Sequence, residues 1–255
     1  MLANYHTHTF RCGHAKGEDR EYVETAIERG IKELGFSDHV PMPFPDGHES
    51  NFRVHYRMLD DYVSSVLSLQ QEYRDDINIR LGFEAEYYPD LFGEMLDRLR
   101  VYPVDYLLLA QHFNDSREDV YNPAMARDRA ALAEYVDRVI EGMETGKFTY
   151  VAHPDLFYFA GPDEVYAEEM IRLCRRAKAL DIPLEINVLG LREGRNYPCD
   201  RFWPIAKEQG CRVVLGCDAH DPQDVAEPEQ LARALAYAAR FQLTVEPEIA
   251  LKKPF

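Results

Sequence analysis

The sequence predicts an α/β fold, a distorted seven-stranded (β/α)7 barrel, and three observations carry that prediction. Seven short apolar runs alternate with amphipathic helical segments, the pattern of βα units on a parallel sheet. The chain's 255 residues, 46% of them hydrophobic, suit one domain spanning residues 1–255. Seven of the nine histidines stand at or just after the C-terminal ends of these runs, together with acidic residues. An open doubly wound sheet gives the same local alternation but gathers its ligands in one crevice. Groups spread over at least six strand ends favour a closed barrel, whose rim collects them.

The first run, Leu2–Tyr5, leads into His6-Thr7-His8. A strand's period of two puts both imidazoles on one face, where they can grip one ion; His14 follows in the loop. Glu33–Ser37 leads to Asp38 and His39, the latter taken alone an exposed loop histidine. Asn78–Ala85 carries Glu84 and is followed by Glu86. These share a face by parity, and a carboxylate there is able to bridge two ions about 3.5–4 Å apart; spacing does not choose between them. Asp105–Ala110 precedes His112 and Phe148–Ala152 precedes His153. Each of these, taken singly, reads equally well as a hydrogen-bonded core histidine. In Pro183–Val188, Glu185 and Asn187 share a face and suit the role of orienting ligands from behind. Arg212–Cys217 ends in Asp218-Ala219-His220, repeating the geometry of the first pair. First and last strands are neighbours in a closed barrel, so the two pairs should meet.

Between the runs, the stripes Leu132, Val136, Val139, Met143 and Tyr166, Met170, Leu173, Ala177, Leu180 read as core-facing helix surfaces. The tail after Ala239 is expected to pack across the barrel. His48 and His55 read as ordinary loop residues. A rim of imidazoles and carboxylates without a cysteine cluster suits divalent zinc, manganese or iron. The five cysteines, Cys12, Cys174, Cys199, Cys211 and Cys217, form no C-x-x-C pair and read as reduced thiols; Cys12 and Cys217 adjoin the site.

A formal charge of -16 argues against nucleic acid as a partner, since phosphate backbones would be repelled. Three divalent ions would add about six positive charges in one cleft, so a small anionic substrate remains compatible. No apolar run approaches the roughly 18 residues of a membrane span. Met1-Leu2-Ala3-Asn4-Tyr5 lacks the basic and apolar segments of an export signal. The expectation is a cytoplasmic protein with no membrane partner.

Six stretches together carry a family resemblance: His6-Thr7-His8-Thr9 with Arg11-Cys12-Gly13-His14, Gly35-Phe36-Ser37-Asp38-His39, Gly82-Phe83-Glu84-Ala85, Ala152-His153-Pro154, Glu185-Ile186-Asn187 with Gly190-Leu191-Arg192, and Gly216-Cys217-Asp218-Ala219-His220. The chain resembles the polymerase and histidinol phosphatase (PHP) family, in its histidinol-phosphate phosphatase branch. The resemblance implies a distorted seven-stranded barrel with three divalent metals on its rim. His6, His8, Glu84 and Asp218 would hold one; Glu84 would bridge to a second completed by His112 and His153; His14, His39 and His220 would hold the third. It thereby favours Glu84 over Glu86. Gln111 and Pro154 stand where relatives carry other residues and are expected to reshape the pocket.

The implied activity is hydrolysis of L-histidinol phosphate in histidine biosynthesis, by hydroxide generated between metals. The alternative is another small phosphomonoester, a nucleotide or a phosphotyrosine. Arg192, after the sixth run, is the expected phosphate clamp because guanidinium matches phosphate bidentately; Arg195 and Arg11 stand behind it. Asp218 and His220 are the residues expected to be catalytic, with His220 or a bound water protonating the leaving group. Tyr56, Tyr87, Tyr88, Phe157, Tyr158 and Phe159, near predicted rims, are candidates to enclose a flat ring. A non-catalytic accessory module, as in domains attached to DNA polymerases, is disfavoured by the full set of nine ligand types.

Overall fold

The computed structural model describes residues 1–114, 118 and 121–255. Seven parallel strands pair in chain order: β1 (Ala3–Asn4), β2 (Glu33–Phe36), β3 (Asn78–Ala85), β4 (Tyr106–Leu109), β5 (Tyr150–Val151), β6 (Leu184–Asn187) and β7 (Val213–Gly216). Every expected run holds one of them, and β3 fills its run completely. The helices are α1 (Asp19–Glu28), α2 (Leu59–Glu72), α3 (Pro89–Leu99), α4 (Arg129–Glu144), α5 (Asp163–Ala179), α6 (Val188–Glu193), α7 (Trp203–Glu208) and α8 (Pro228–Arg240). Local chemistry starts several of them. Asp128 accepts the Ala130 N–H ahead of α4, Glu18 and Glu21 form a reciprocal box at α1, and Pro89 opens α3 where its missing N–H costs nothing.

The ring of strands closes at two levels. At the C-terminal rim, Thr7 and Ala219 form a parallel bridge, with the His8 N–H donating to Ala219 O at 2.9 Å and the Ala219 N–H to His6 O at 3.2 Å. At the opposite end the C-terminal tail enters the seam. Val245 bridges Val213, the Glu246 N–H donates to Val213 O at 2.8 Å, and Pro247 O accepts from Leu2 and Ala3 at 3.1 Å each. The tail thus satisfies backbone groups of β1 and β7 that an eighth strand would otherwise pair, which is how seven strands suffice.

Strand alternation divides the apolar residues into two layers. Leu34, Phe36, Leu81, Phe83, Leu107, Leu109, Leu184 and Ile186 face the helices, where the α4 and α5 stripes are buried. Tyr5, Tyr106, Leu108, Tyr150 and Val214 fill the barrel interior, with Ile249 and Leu251 of the tail packed beneath. Tyr106 fits because Gly35 and Gly82 have no side chains: a Cβ on either would lie 2.2 Å and 2.4 Å, respectively, from its atoms. Its hydroxyl donates across the lumen to Tyr5 O at 2.7 Å or Phe36 O at 3.0 Å. Among the described residues no helix is long and apolar enough to cross a membrane.

Tyr106→Phe keeps the ring and strips the donor from two buried carbonyls, so denaturant unfolding should show a loss of about 1–3 kcal/mol.

Candidate metal centre

The inward face of β3 reads Arg80, Gly82, Glu84, and Glu84 therefore emerges at the rim, fully buried. Imidazoles surround it. Glu84 Oε1 lies 3.3 Å from His6 Nε2, 3.0 Å from His153 Nε2 and 3.6 Å from His112 Nε2. Its Oε2 lies 3.4 Å from His8 Nε2 and 3.0 Å from His39 Nδ1. Asp218 Oδ1 approaches His8 Nε2 at 3.1 Å and His6 Nε2 at 3.5 Å. His220 stacks on His8 with ring centroids 4.2 Å apart, and its Nε2 sits 3.0 Å from His14 Nε2. All nine residues named from the sequence gather in one cluster.

The path of the chain at two strand ends helps. His153 and Asp218 follow β5 and β7 with φ of 30° and 50°, a region non-glycine residues seldom adopt and that costs about 1–3 kcal/mol each. Both side chains lie buried at the rim. Gly216 is required for the same reason of space, since a Cβ there would lie 2.2 Å from Glu185 Oε2.

Partners behind the cluster hold the rings. Glu185 Oε2 lies 2.8 Å from His6 Nδ1, while Asn187 Nδ2 donates to Glu185 Oε1 at 2.7 Å and to Asp218 Oδ2 at 3.1 Å. Glu86 Oε1 contacts His112 Nδ1 at 2.7 Å, so the two glutamates in and just after β3 that parity could not separate do different things. Asp38 accepts the N–H groups of Thr9 and His39 and faces His8 Nδ1 at 3.5 Å. Cys12 O and Asp218 O contact Nδ1 of His14 and His220, each at 3.0 Å.

Electrostatics divide the groups. Burial opposes charge on Glu84 and Asp218, yet the surrounding histidines, His6 foremost, hold both well below the usual carboxylate range. Burial opposes charge on His8 too, but Asp218 and Asp38 push it up to about 9; Glu185, Asp218 and Glu84 likewise raise His6. Burial wins at His39, lowering it well below normal, and with His8 it takes His220 down to about 3.

These residues fit divalent ions. His6 Nε2, both ring nitrogens of His8, His39 Nδ1 and Glu84 Oε2 are buried without a hydrogen bond, a costly state for polar atoms. Ligands around a tetrahedral ion with bonds of 2.0–2.1 Å would sit about 3.3 Å apart, close to the spacings above. Triplets such as His6, His8, Glu84 and His8, His39, His220 present ligand atoms all within 4.8 Å of one another. Cys12 Sγ lies 3.9 Å from His14 Nε2 and forms a further such triplet with His14 and His220, while burial and Asp38 push its thiol upward. Cys217 faces away, accepting the Ala226 N–H at 3.3 Å.

A cavity of about 500 Å³ opens above the cluster, walled by Phe52, Phe113, Tyr121, Leu189, Glu193, Arg195 and Tyr197 along with the rim histidines. Three sequence expectations are corrected here. Arg192 does not line the cavity: Asp224 and Glu193 bind its guanidinium, and Arg195, beyond the end of α6, reaches the wall instead. Arg11 is buried between Asp19 and Asp61 and serves packing. None of Tyr56, Tyr87, Tyr88, Phe157, Tyr158 or Phe159 lines this cavity. Gln111 and Pro154 stand outside the wall, and Gln111 reaches it indirectly, accepting the Tyr87 N–H and donating to O of the wall residue Phe113. His48 and His55 lie apart, near Glu118 and Glu49. The wall aromatics escaped sequence reading because they sit on irregular loops without periodicity, and Tyr197 had only its closeness to Arg195 as a signal.

A parallel barrel with a histidine–carboxylate cluster at its C-terminal rim defines a metal-centre α/β barrel. The profile of the PHP domain matches residues 4–188, and this chain belongs to that family. Asp218 and His220 lie beyond the matched span. A probable histidinol-phosphatase from Deinococcus radiodurans is 31% identical over 235 residues, covering 88% of each chain. The histidinol-phosphatase of Bacillus subtilis is 25% identical over 251 residues, covering 86% of this chain and 94% of its own. The histidinol phosphate phosphatase of Lactococcus lactis, crystallised with zinc, L-histidinol and phosphate, superposes with a TM-score of 0.73 at 20% identity, over 96% of this chain and 95% of that one; it shares the fold.

Zinc supplied at about 100 times its dissociation constant should stabilise the protein by about 2.7 kcal/mol, read as a rise in Tm that chelator reverses and that Glu84→Gln or Asp218→Asn diminishes.

Proposed function

We propose that this protein is a metal-dependent phosphomonoesterase, acting as one domain over residues 1–255, that hydrolyses L-histidinol phosphate to L-histidinol and phosphate. One observation carries the reading: buried ring nitrogens and a Glu84 carboxylate oxygen without hydrogen bonds converge at the floor of a cavity whose wall offers a guanidinium and aromatic rings. The relative from Deinococcus radiodurans, at 31% identity over 88% of this chain, supports the substrate.

His6, His8, Glu84 and Asp218 would hold one ion, Glu84 with His112 and His153 a second, and His14, His39 and His220 a third; zinc, manganese and iron all suit the donors. Bound there, such ions supply a nucleophile at neutral pH and positive charge for the phosphoryl oxygens.

The chain supplies the rest. Arg195 is held at the wall by Glu193 at 2.7 Å and by donation to the Tyr197 hydroxyl at 2.7 Å, and its fork suits two phosphoryl oxygens. Glu193 gives the ammonium of histidinol an anionic partner. Phe52 and Phe113, with centroids 5.7 Å apart, and Tyr121 enclose the imidazole. His220 stands at the cavity with its Nδ1 held by Asp218 O at 3.0 Å, which leaves Nε2 for the third ion and no proton for the departing alkoxide, so water entering the cavity is the group left to protonate it.

Phosphate release from L-histidinol phosphate by zinc- or manganese-loaded protein is the test: it should exceed release from nucleotides and phosphotyrosine, and turnover of those esters alone would refute the substrate. Arg195→Ala should lower kcat/KM about 100-fold, while Arg192→Ala, removing a pair outside the cavity, should stay within about fivefold.

A further inference from the structure

Arg53 lies in the polar segment between β2 and α2 and belongs to no apolar pattern, yet it is 2% exposed, against Glu86 at 1%. Its Nη1 donates to Glu86 Oε2 at 2.5 Å and its Nε to Glu118 Oε1 at 2.8 Å. The other oxygen of Glu86 meets His112 Nδ1 at 2.7 Å. One guanidinium therefore ties together the loop after β2, the end of β3 and the loop after β4. Its carbon lies 4.5 Å from the Phe52 ring, which stands 5.0 Å from His39 and lines the cavity.

We infer that Arg53 is a positioning residue for the ion assigned to His112: through Glu86 it fixes that ring with Nδ1 as donor and Nε2 turned to Glu84, and through Glu118 and Phe52 it sets the cavity wall. The inference rests on the ion assignment proposed above. Glu86 held as an anion can only accept a hydrogen bond, so the ring proton stays on Nδ1 and the Nε2 lone pair remains for the centre. Without Arg53 the Glu86 carboxylate loses the partner that holds its Oε2 and is free to swing from the ring. A planar fork can hold two carboxylates at once, whereas an ammonium is a point charge on a flexible stem. Stability alone is a weak reason for such a group, because desolvating a buried ion pair offsets much of its attraction.

Titration of the metal-free protein with Zn(II) against a chromophoric chelator tests this. Wild type should bind more than one zinc. Arg53→Met and Glu86→Gln should weaken one binding step by about 10- to 100-fold and leave the others unchanged, with Arg53→Lys failing to restore it. On the phosphomonoester, kcat should fall more than KM changes, and raised zinc should recover it, which a merely structural lesion would not allow. Wild-type isotherms in both variants would overturn the role of Arg53. A wild-type protein that takes up no zinc would remove the ion centre itself. Should Arg53→Met not fold, the isosteric Glu86→Gln decides.

Discussion

Across a single parallel bridge, Thr7 to Ala219, the first and last strand ends are joined, and the centre depends on that seam. Alternation sends the bridged residues one way and their neighbours the other. His6 and His8 on one side thus meet Asp218 and His220 on the other. Asn4 reinforces the joint, donating to Thr7 Oγ1 at 2.8 Å and accepting the Cys217 N–H at 2.9 Å. The tail does equivalent work at the opposite end through Pro247 and Glu246. Without closure, two pairs more than 200 residues apart would have no reason to share a site.

Crowding so many titratable groups away from water is tolerable only because signs alternate and each ring is backed. Glu185 stands behind His6, Asp38 behind His8 and Glu86 behind His112, while backbone carbonyls serve His14 and His220. Backing one ring nitrogen leaves the other for the centre, so tautomer and orientation are set together. The glycines contribute by omission, Gly216 making room for Glu185 as Gly82 does for Tyr106.

The acidic balance of the chain acts locally as well as globally. Many arginines are bound by carboxylates, Arg192 by Asp224 and Arg11 by Asp19 and Asp61 among them. Arg195 shares Glu193 but keeps its place on the cavity wall. In a chain of net charge -16, an anionic substrate would find its attraction in the centre and this one guanidinium, not in the protein's general field.

Periodicity determined the βα alternation, which an open sheet shares, and the histidines and acids spread over the strand ends favoured the barrel, both being local properties that survive without coordinates; β3 spans Asn78–Ala85 as the run implies. The histidines and acids at the strand ends were legible for the same reason, while the set of nine came from the family resemblance. Spacing left Glu84 and Glu86 on one face and the family resemblance favoured Glu84; the tertiary structure added the physical difference, since neighbouring loops bring His112 Nδ1 and Arg53 to Glu86. The tertiary structure alone put Arg195 rather than Arg192 on the cavity wall, found Phe52, Arg53, Phe113 and Tyr121, and seated the tail in the seam. Loop side chains obey no period, and their partners come from other loops, so their placement exists only once the ring has closed.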